Sequence, residues 1–179
     1  MATPEQITDL AAKLREEREA LLAAARALSE EAAAHRPPDA SDGEDGWSPK
    51  EQFAHLSEMD AQYRAWVVRA LREENPDVGV GTQPDTIAFR VERAHDASLA
   101  VLIAEAERQR NATIAVMDGL PAEAYDRPAH NAAFGELTVL QWLRSLYRHD
   151  RMHAAQIAGR EPDYRPRFLN GEPDQRRRG

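Results

Sequence analysis

The chain has 179 residues, of which 42% are hydrophobic and 30% are charged, with a formal net charge of −8 and no cysteine. This balance predicts one soluble globular domain and excludes a disordered chain. Without cysteine the protein has no disulfide, no thiolate metal ligand and no thiol nucleophile of its own. The acidic charge disfavours nucleic acid as a partner, and no signal peptide or membrane span is visible. We therefore expect a cytoplasmic protein that binds neither nucleic acid nor membrane.

Helical spacing of apolar residues begins near the start of the chain. The first helix is predicted from about Pro4 to Ala34, with Thr3 as its cap and Gln6 completing a capping box. The proline- and glycine-rich segment "HRPPDASDGEDG" then predicts a loop. A second helix is predicted after Ser48, and the breakers in "NPDVGVGTQP" end it.

Two more helices follow, the third from about Asp85 to Met117 and the fourth from near Thr138 to Gly159. The segment "AEAYDRPAHNAAFGE" between them is predicted to be a loop, and the sequence shows no convincing strand. The fold class is therefore all-α, a four-helix bundle over residues 1–160, with long loops after helices 1 and 3. Such loops often cover a site.

The remaining residues, 161–179, form a partly irregular C-terminal tail in this interpretation. Proline, glycine and charge dominate the tail, and its sequence has no sustained period. Tyr164 and Phe168 are the side chains predicted to hold part of the tail against the bundle.

The segment "RHDRMHAAQI" places His149 and His153 four residues apart, so both imidazoles lie on one helix face. That face also carries Trp142, Leu146 and Ile157 and is predicted to point inward. Buried imidazoles need polar partners, and a divalent cation satisfies both at once. The spacing alone is weak evidence for a metal site, because a chain with six histidines can contain such a pair by chance.

His55 is the best candidate for a third ligand, because "FAHLSEM" embeds it among inward-facing residues of the second helix. Three histidines from two helices, with water, match the open coordination of a catalytic metal site. The alternative is a core histidine that bonds a backbone carbonyl.

Two segments, "WSPKEQFAHLSEMD" and "GELTVLQWLRSLYRHDRMHAAQIAGR", resemble the signature regions of the DinB/YfiT-like superfamily. The resemblance implies a DinB-like four-helix bundle that holds a divalent metal, most often zinc or nickel, on His55, His149 and His153. It also implies a homodimer. Members of the superfamily include metal-dependent hydrolases, and transferases or isomerases that use a low-molecular-weight thiol such as mycothiol, bacillithiol or glutathione.

Some residues near the predicted ligands are candidates for the second shell or the pocket. Asp60 is predicted either to orient a ligand imidazole or to pair with an arginine such as Arg144 or Arg148. His130 is predicted to line the pocket mouth or, equally, to bond backbone in its loop. Gln156 follows His153 by three and is predicted to hydrogen-bond near the site or to lie at a dimer surface.

The residues support first a metal-dependent enzyme with an open three-histidine site. The resemblance implies that it is a thiol-dependent transferase or isomerase, or a hydrolase, acting on an unidentified small molecule. No catalytic residue is identified. Asp150 stands where the HExxH motif has glutamate, which weakens a peptidase-like mechanism, and it is predicted to form a salt bridge. The alternative is a non-catalytic dimeric binding or stress-response module with a structural metal. A metal-free bundle is the third hypothesis.

Overall fold

The computed structural model describes residues 1–38 and 44–164, so the predicted contact of Phe168 lies outside the described residues. Within these ranges the α-helices are α1 (Pro4–Arg26), α2 (Glu30–Ala34), α3 (Pro49–Arg72), α4 (Leu99–Met117) and α5 (Val139–Ile157). The strands are β1 (Pro128–Asn131) and β2 (Gly135–Thr138), and 3-10 turns span Glu44–Gly46, Val91–Asp96 and Ala122–Asp126.

The helices α1, α3, α4 and α5 form the predicted four-helix bundle. The last helix, α5, packs between α1 and α3, whereas α4 packs mainly on α3. Among the described helices, none has the combined length and apolarity that crossing a membrane requires.

Capping boxes begin α1, α3 and α5, as predicted from the sequence. The hydroxyls of Thr3, Ser48 and Thr138 each accept a hydrogen bond from the backbone N–H three residues later. The side chains that return a hydrogen bond to the cap are Gln6, Glu51 and Gln141. Each cap of this kind stabilises a helix by about 1 kcal/mol and fixes its first residue.

Two predicted helix boundaries are wrong. The first helix ends at Arg26 instead of continuing to Ala34, because the Ser29 hydroxyl accepts the N–H of Ala32 and starts the short α2. The third long helix begins at Leu99 rather than near position 85. A 3-10 turn and irregular backbone precede it, although their apolar residues continue the helical spacing.

A β-hairpin also occupies part of the segment predicted to be a loop. Strands β1 and β2 are antiparallel, with Asn131 opposite Gly135, whose φ of 81° suits glycine. The backbone of His130 donates to the carbonyl of Pro76 and accepts from Val78, so the hairpin is held against the loop after α3.

The bundle interior has two apolar clusters along its length. One is built around Leu10, Leu14, Tyr63, Trp66, Trp142 and Leu146, and the other around Leu21, Leu22, Phe53, Leu56, Leu102 and Ala106. Each bundle helix also contributes one residue to a buried network of ion pairs, which we call the ionic layer: Arg18, Asp60, Arg110 and Asp150.

The ionic layer ties the bundle helices together across the core. Arg18 Nη2 lies 2.5 Å from Asp60 Oδ2 and 2.9 Å from Asp150 Oδ1. Arg110 Nε lies 3.0 Å from Asp60 Oδ1, and its Nη1 lies 2.7 Å from Asp150 Oδ2. Burial alone would raise the pKa of Asp60, but the charges of Arg110 and Arg18 outweigh burial and hold it below its ordinary value. Asp150 forms the predicted salt bridge, because it pairs with both Arg18 and Arg110.

Candidate metal centre

Three histidines and one glutamate converge between α3 and α5, beside the ionic layer. His55 lies in the second turn of α3, and His149 and His153 lie one turn apart on α5. Glu44 comes from the 3-10 turn that precedes α3. We call Glu44, His55, His149 and His153 the candidate metal centre, and their ligand atoms all lie within 4.8 Å of one another.

The ring nitrogens in this centre point at one another. His149 Nε2 lies 3.3 Å from His55 Nε2 and 3.0 Å from His153 Nε2. Glu44 Oε1 lies 3.3 Å from the His55 nitrogen, and Oε2 lies 3.5 Å from that of His149 and 4.0 Å from that of His153.

These separations fit a shared cation. Two nitrogen ligands, each about 2.0–2.1 Å from one metal ion in tetrahedral or cis octahedral geometry, lie about 2.8–3.4 Å from each other. Converging imidazole nitrogens otherwise face lone pair to lone pair, and a single proton can lie between only two of them. The donor set of imidazole nitrogens with one carboxylate also matches the ligand preferences of zinc and nickel.

The electrostatics favour the forms of these groups that bind metals. Burial lowers the pKa of His55 and lowers that of His153 well below its ordinary value. Burial would raise the pKa of Glu44, but hydrogen bonds with His149 and His55 outweigh it and hold that pKa far below its ordinary value. The imidazoles of His55 and His153 are therefore neutral and the Glu44 carboxylate is ionised at neutral pH, which are the forms that bind metals.

A cavity of about 520 Å³ adjoins the centre. Trp47 lines it and also packs edge-on against the His55 ring at a centroid distance of 4.9 Å. Gln156 lines it too and follows His153 by three residues on α5. We call this cavity the side pocket, and its walls include Leu28, Ala32, Trp47, Gln52, Gln156 and Ile157.

The structure brings together the histidines chosen from the sequence, whereas two of their predicted neighbours lie elsewhere. The Asp60 carboxylate accepts hydrogen bonds from ionic-layer arginines and Thr113, not from a ligand imidazole, and its partners are neither Arg144 nor Arg148. The His130 side chain is exposed on β1 and is not part of the centre.

The sequence interpretation missed Glu44. This residue lies in an acidic, glycine-containing loop, where no periodicity indicates which carboxylate turns inward. The position of Glu44 in the chain was an available signal, because a loop that leads directly into the helix carrying His55 is well placed to cover the site. The carboxylate extends the expected set of three candidate ligands to four.

A four-helix bundle with a histidine-rich centre is a recognisable class of protein. Comparison with known proteins identifies the family. The family model of the DinB superfamily matches residues 13–157, so this chain belongs to the DinB superfamily.

Solved structures share this fold. YfiT from Bacillus subtilis, described as a probable metal-dependent hydrolase with an unusual four-helix bundle topology, has a TM-score of 0.71 and 16% identity. The match covers 89% of this chain and 87% of YfiT. A variant of the mycothiol-dependent maleylpyruvate isomerase matches with a TM-score of 0.62 and 11% identity, over 84% of this chain and 60% of the isomerase. At these identities the likeness shows the fold alone. A search of curated proteins found no sequence match.

Proposed function

We propose that this protein is a metal-dependent enzyme whose divalent cation, zinc or nickel, is held by Glu44, His55, His149 and His153. The observation that carries the proposal is the convergence of imidazole nitrogens and a carboxylate at the separations that ligands of one ion adopt. The metal would supply Lewis-acid chemistry that activates water or a thiol as the nucleophile and polarises an electrophile.

The proposed ligands fall into two groups: buried histidines on long helices and a partly exposed glutamate on a short turn. His55, His149 and His153 are buried on long helices, so their positions are set by the packing of α3 against α5. The Glu44 side chain is 37% exposed and lies on a short turn. Glu44 is therefore the most accessible of the proposed ligands, and its carboxylate can move aside or accept a proton.

The proposed reaction is a transfer or isomerisation that depends on a low-molecular-weight thiol, or a hydrolysis, with a small molecule as substrate. Support comes from the chain itself, which has no cysteine, so a thiol nucleophile would have to be an external low-molecular-weight thiol. YfiT and the mycothiol-dependent isomerase share its fold.

Glu44 also favours a second candidate function. A structural zinc site usually has four protein ligands, whereas a catalytic site keeps one position open. If Glu44 stays bound to the metal, the ion joins α3 to α5 and the protein is a non-catalytic binding or stress-response module.

The proposal includes a homodimer in the cytoplasm that binds neither nucleic acid nor membrane. The net charge of −8 supports the exclusion of nucleic acid, because an acidic surface repels phosphates. The dimer follows from the resemblance to DinB-like proteins, and sedimentation velocity would test it.

The enzyme is tested by measuring turnover of zinc-loaded and nickel-loaded protein with glutathione, mycothiol or bacillithiol and a panel of electrophiles, and with activated esters for hydrolysis. We expect activity that His55→Ala abolishes and Glu16→Gln, a change at an exposed glutamate of α1 outside both the centre and the side pocket, leaves intact. Turnover that His55→Ala does not change would contradict the proposed centre. Full metal binding without turnover across the panel would favour the structural-metal function.

A further inference from the structure

The side pocket has mostly apolar walls and the size of a small-molecule site. Leu28, Ala32, Trp47 and Ile157 present carbon surface around a cavity of about 520 Å³, within the range of roughly 300–1,000 Å³ that is typical of ligand pockets. Half-buried Trp47 offers an indole face to an aromatic or branched aliphatic group.

Gln52, in the wall of the side pocket, has a buried acceptor that lacks a hydrogen-bond partner among the described residues. Gln52 is 3% exposed, and its Nε2 donates to the carbonyl of Trp47 at 3.1 Å. Its Oε1 accepts no hydrogen bond from any of the described residues. Buried oxygens in folded proteins are nearly always paired, so this acceptor marks where an O–H or N–H of a ligand would bind.

The charges at the rim disfavour an anionic ligand. Arg36 donates through Nε to Glu51 Oε2 at 3.0 Å, so a carboxylate already balances its charge. Glu31, also at the rim, adds a negative charge. A phosphate or sulfonate entering here would meet no surplus of positive charge from these side chains.

We propose that the side pocket is the substrate pocket of the metal centre and takes an uncharged small molecule with an aromatic or branched aliphatic body and one hydrogen-bond donor for Gln52. The inference rests on the proposed function, since the pocket meets the centre at two wall residues: Trp47 packs against His55, and Gln156 lies about one helical turn after His153 on α5.

The test uses benzyl alcohol, toluene and benzyl phosphate as probes, titrated into metal-free and zinc-loaded protein at pH 8, where imidazoles as a class are neutral. Binding is followed by NMR at the Trp47 indole N–H and the Gln52 carboxamide. The blocking variant is Ala32→Phe, on the exposed face of α2, and the matched control is Ala23→Phe, an exposed position of α1 outside the pocket.

We expect saturable shifts with benzyl alcohol that Ala32→Phe removes and Ala23→Phe preserves, with benzyl phosphate at least tenfold weaker. Gln52→Leu should lower the preference for benzyl alcohol over toluene about fivefold, the usual effect of one net hydrogen bond. Equal or tighter binding of benzyl phosphate, or binding that Ala32→Phe leaves unchanged, would overturn the inference. Because metal-free protein is titrated in parallel, loss of zinc binding and loss of probe binding are recorded separately.

Discussion

At the scale of single residues, the centre combines ligands of different accessibility. His153 is fully buried and has its imidazole directed at His149, whereas Glu44 is partly exposed and belongs to a short turn. Removing a buried imidazole takes away a ligand that nothing nearby replaces. Removing the charge of Glu44 leaves a position that water can fill.

Glu44→Gln should therefore weaken zinc binding by roughly tenfold, whereas loss of one imidazole should weaken it by more than a hundredfold. Competition titration with a zinc chelator measures both effects. Glu31→Gln, which removes the same charge from an exposed helix position, serves as the matched control. Glu44→Gln with the zinc affinity of the wild type would show that this carboxylate is not a ligand.

The histidines were predictable from the sequence because their signals are local. A spacing of four on an apolar helix face identifies His149 and His153, and an apolar neighbourhood identifies His55. Glu44 and the partners of Asp60 were not predictable in this way. Both depend on which distant elements meet, and no spacing within one helix contains that information.

At the scale of elements, the ionic layer fixes how the bundle helices face one another. Its members are 4% exposed or less, so each charge depends on its partners instead of water. Besides the ion pairs, Arg18 donates to the carbonyl of Ala106 and Arg110 donates to that of Leu14, which joins α1 to α4.

Asp60→Asn should destabilise the fold by roughly 3–5 kcal/mol, because it leaves two buried arginines with one carboxylate. Urea denaturation measures the loss. The control is Asp96→Asn, which removes an exposed carboxylate paired with Arg93 and should change the free energy of unfolding by less than about 0.5 kcal/mol. Equal stability of the two variants would contradict the buried role of Asp60.

The contribution of Asp60 should also depend on pH. Since the arginines hold its folded pKa below the unfolded value of about 3.9, the stabilisation is present above that pH and is lost as the pH falls through the folded pKa. The stability difference between wild type and Asp60→Asn should therefore shrink as the pH falls below about 4. A difference that stays constant from neutral to strongly acidic pH would contradict this assignment.

Helix starts were predicted well and helix interruptions poorly. Ser48 and Thr138 can be recognised as helix caps from a stretch of four residues, and a helix follows each of them in the structure. The break before Ser29 and the late start at Leu99 were missed although both follow serine caps, because the apolar spacing continues through them: the Ser29 hydroxyl accepts the N–H of Ala32, and the Ser98 hydroxyl accepts that of Val101. The β-hairpin was missed because each strand has only four residues.

At the scale of the whole molecule, a cation in the centre would bind the turn at Glu44, α3 and α5 at once. An ion that binds only the folded state stabilises it by about 2.7 kcal/mol when its free concentration is 100 times Kd. Zinc should therefore raise the urea midpoint of the wild type and of His130→Ala, whose imidazole is exposed outside the centre. A zinc effect that persists in His153→Ala would place the ion elsewhere.

The central claim is that one divalent ion binds among Glu44 and the three histidines. Elemental analysis tests it most directly, on protein purified without a metal column, reconstituted with zinc and dialysed against metal-free buffer. We predict about one zinc per chain in the wild type, as a single site requires, and almost none in His149→Ala or His153→Ala. A wild-type protein without zinc, or variants that retain the full amount, would contradict the account.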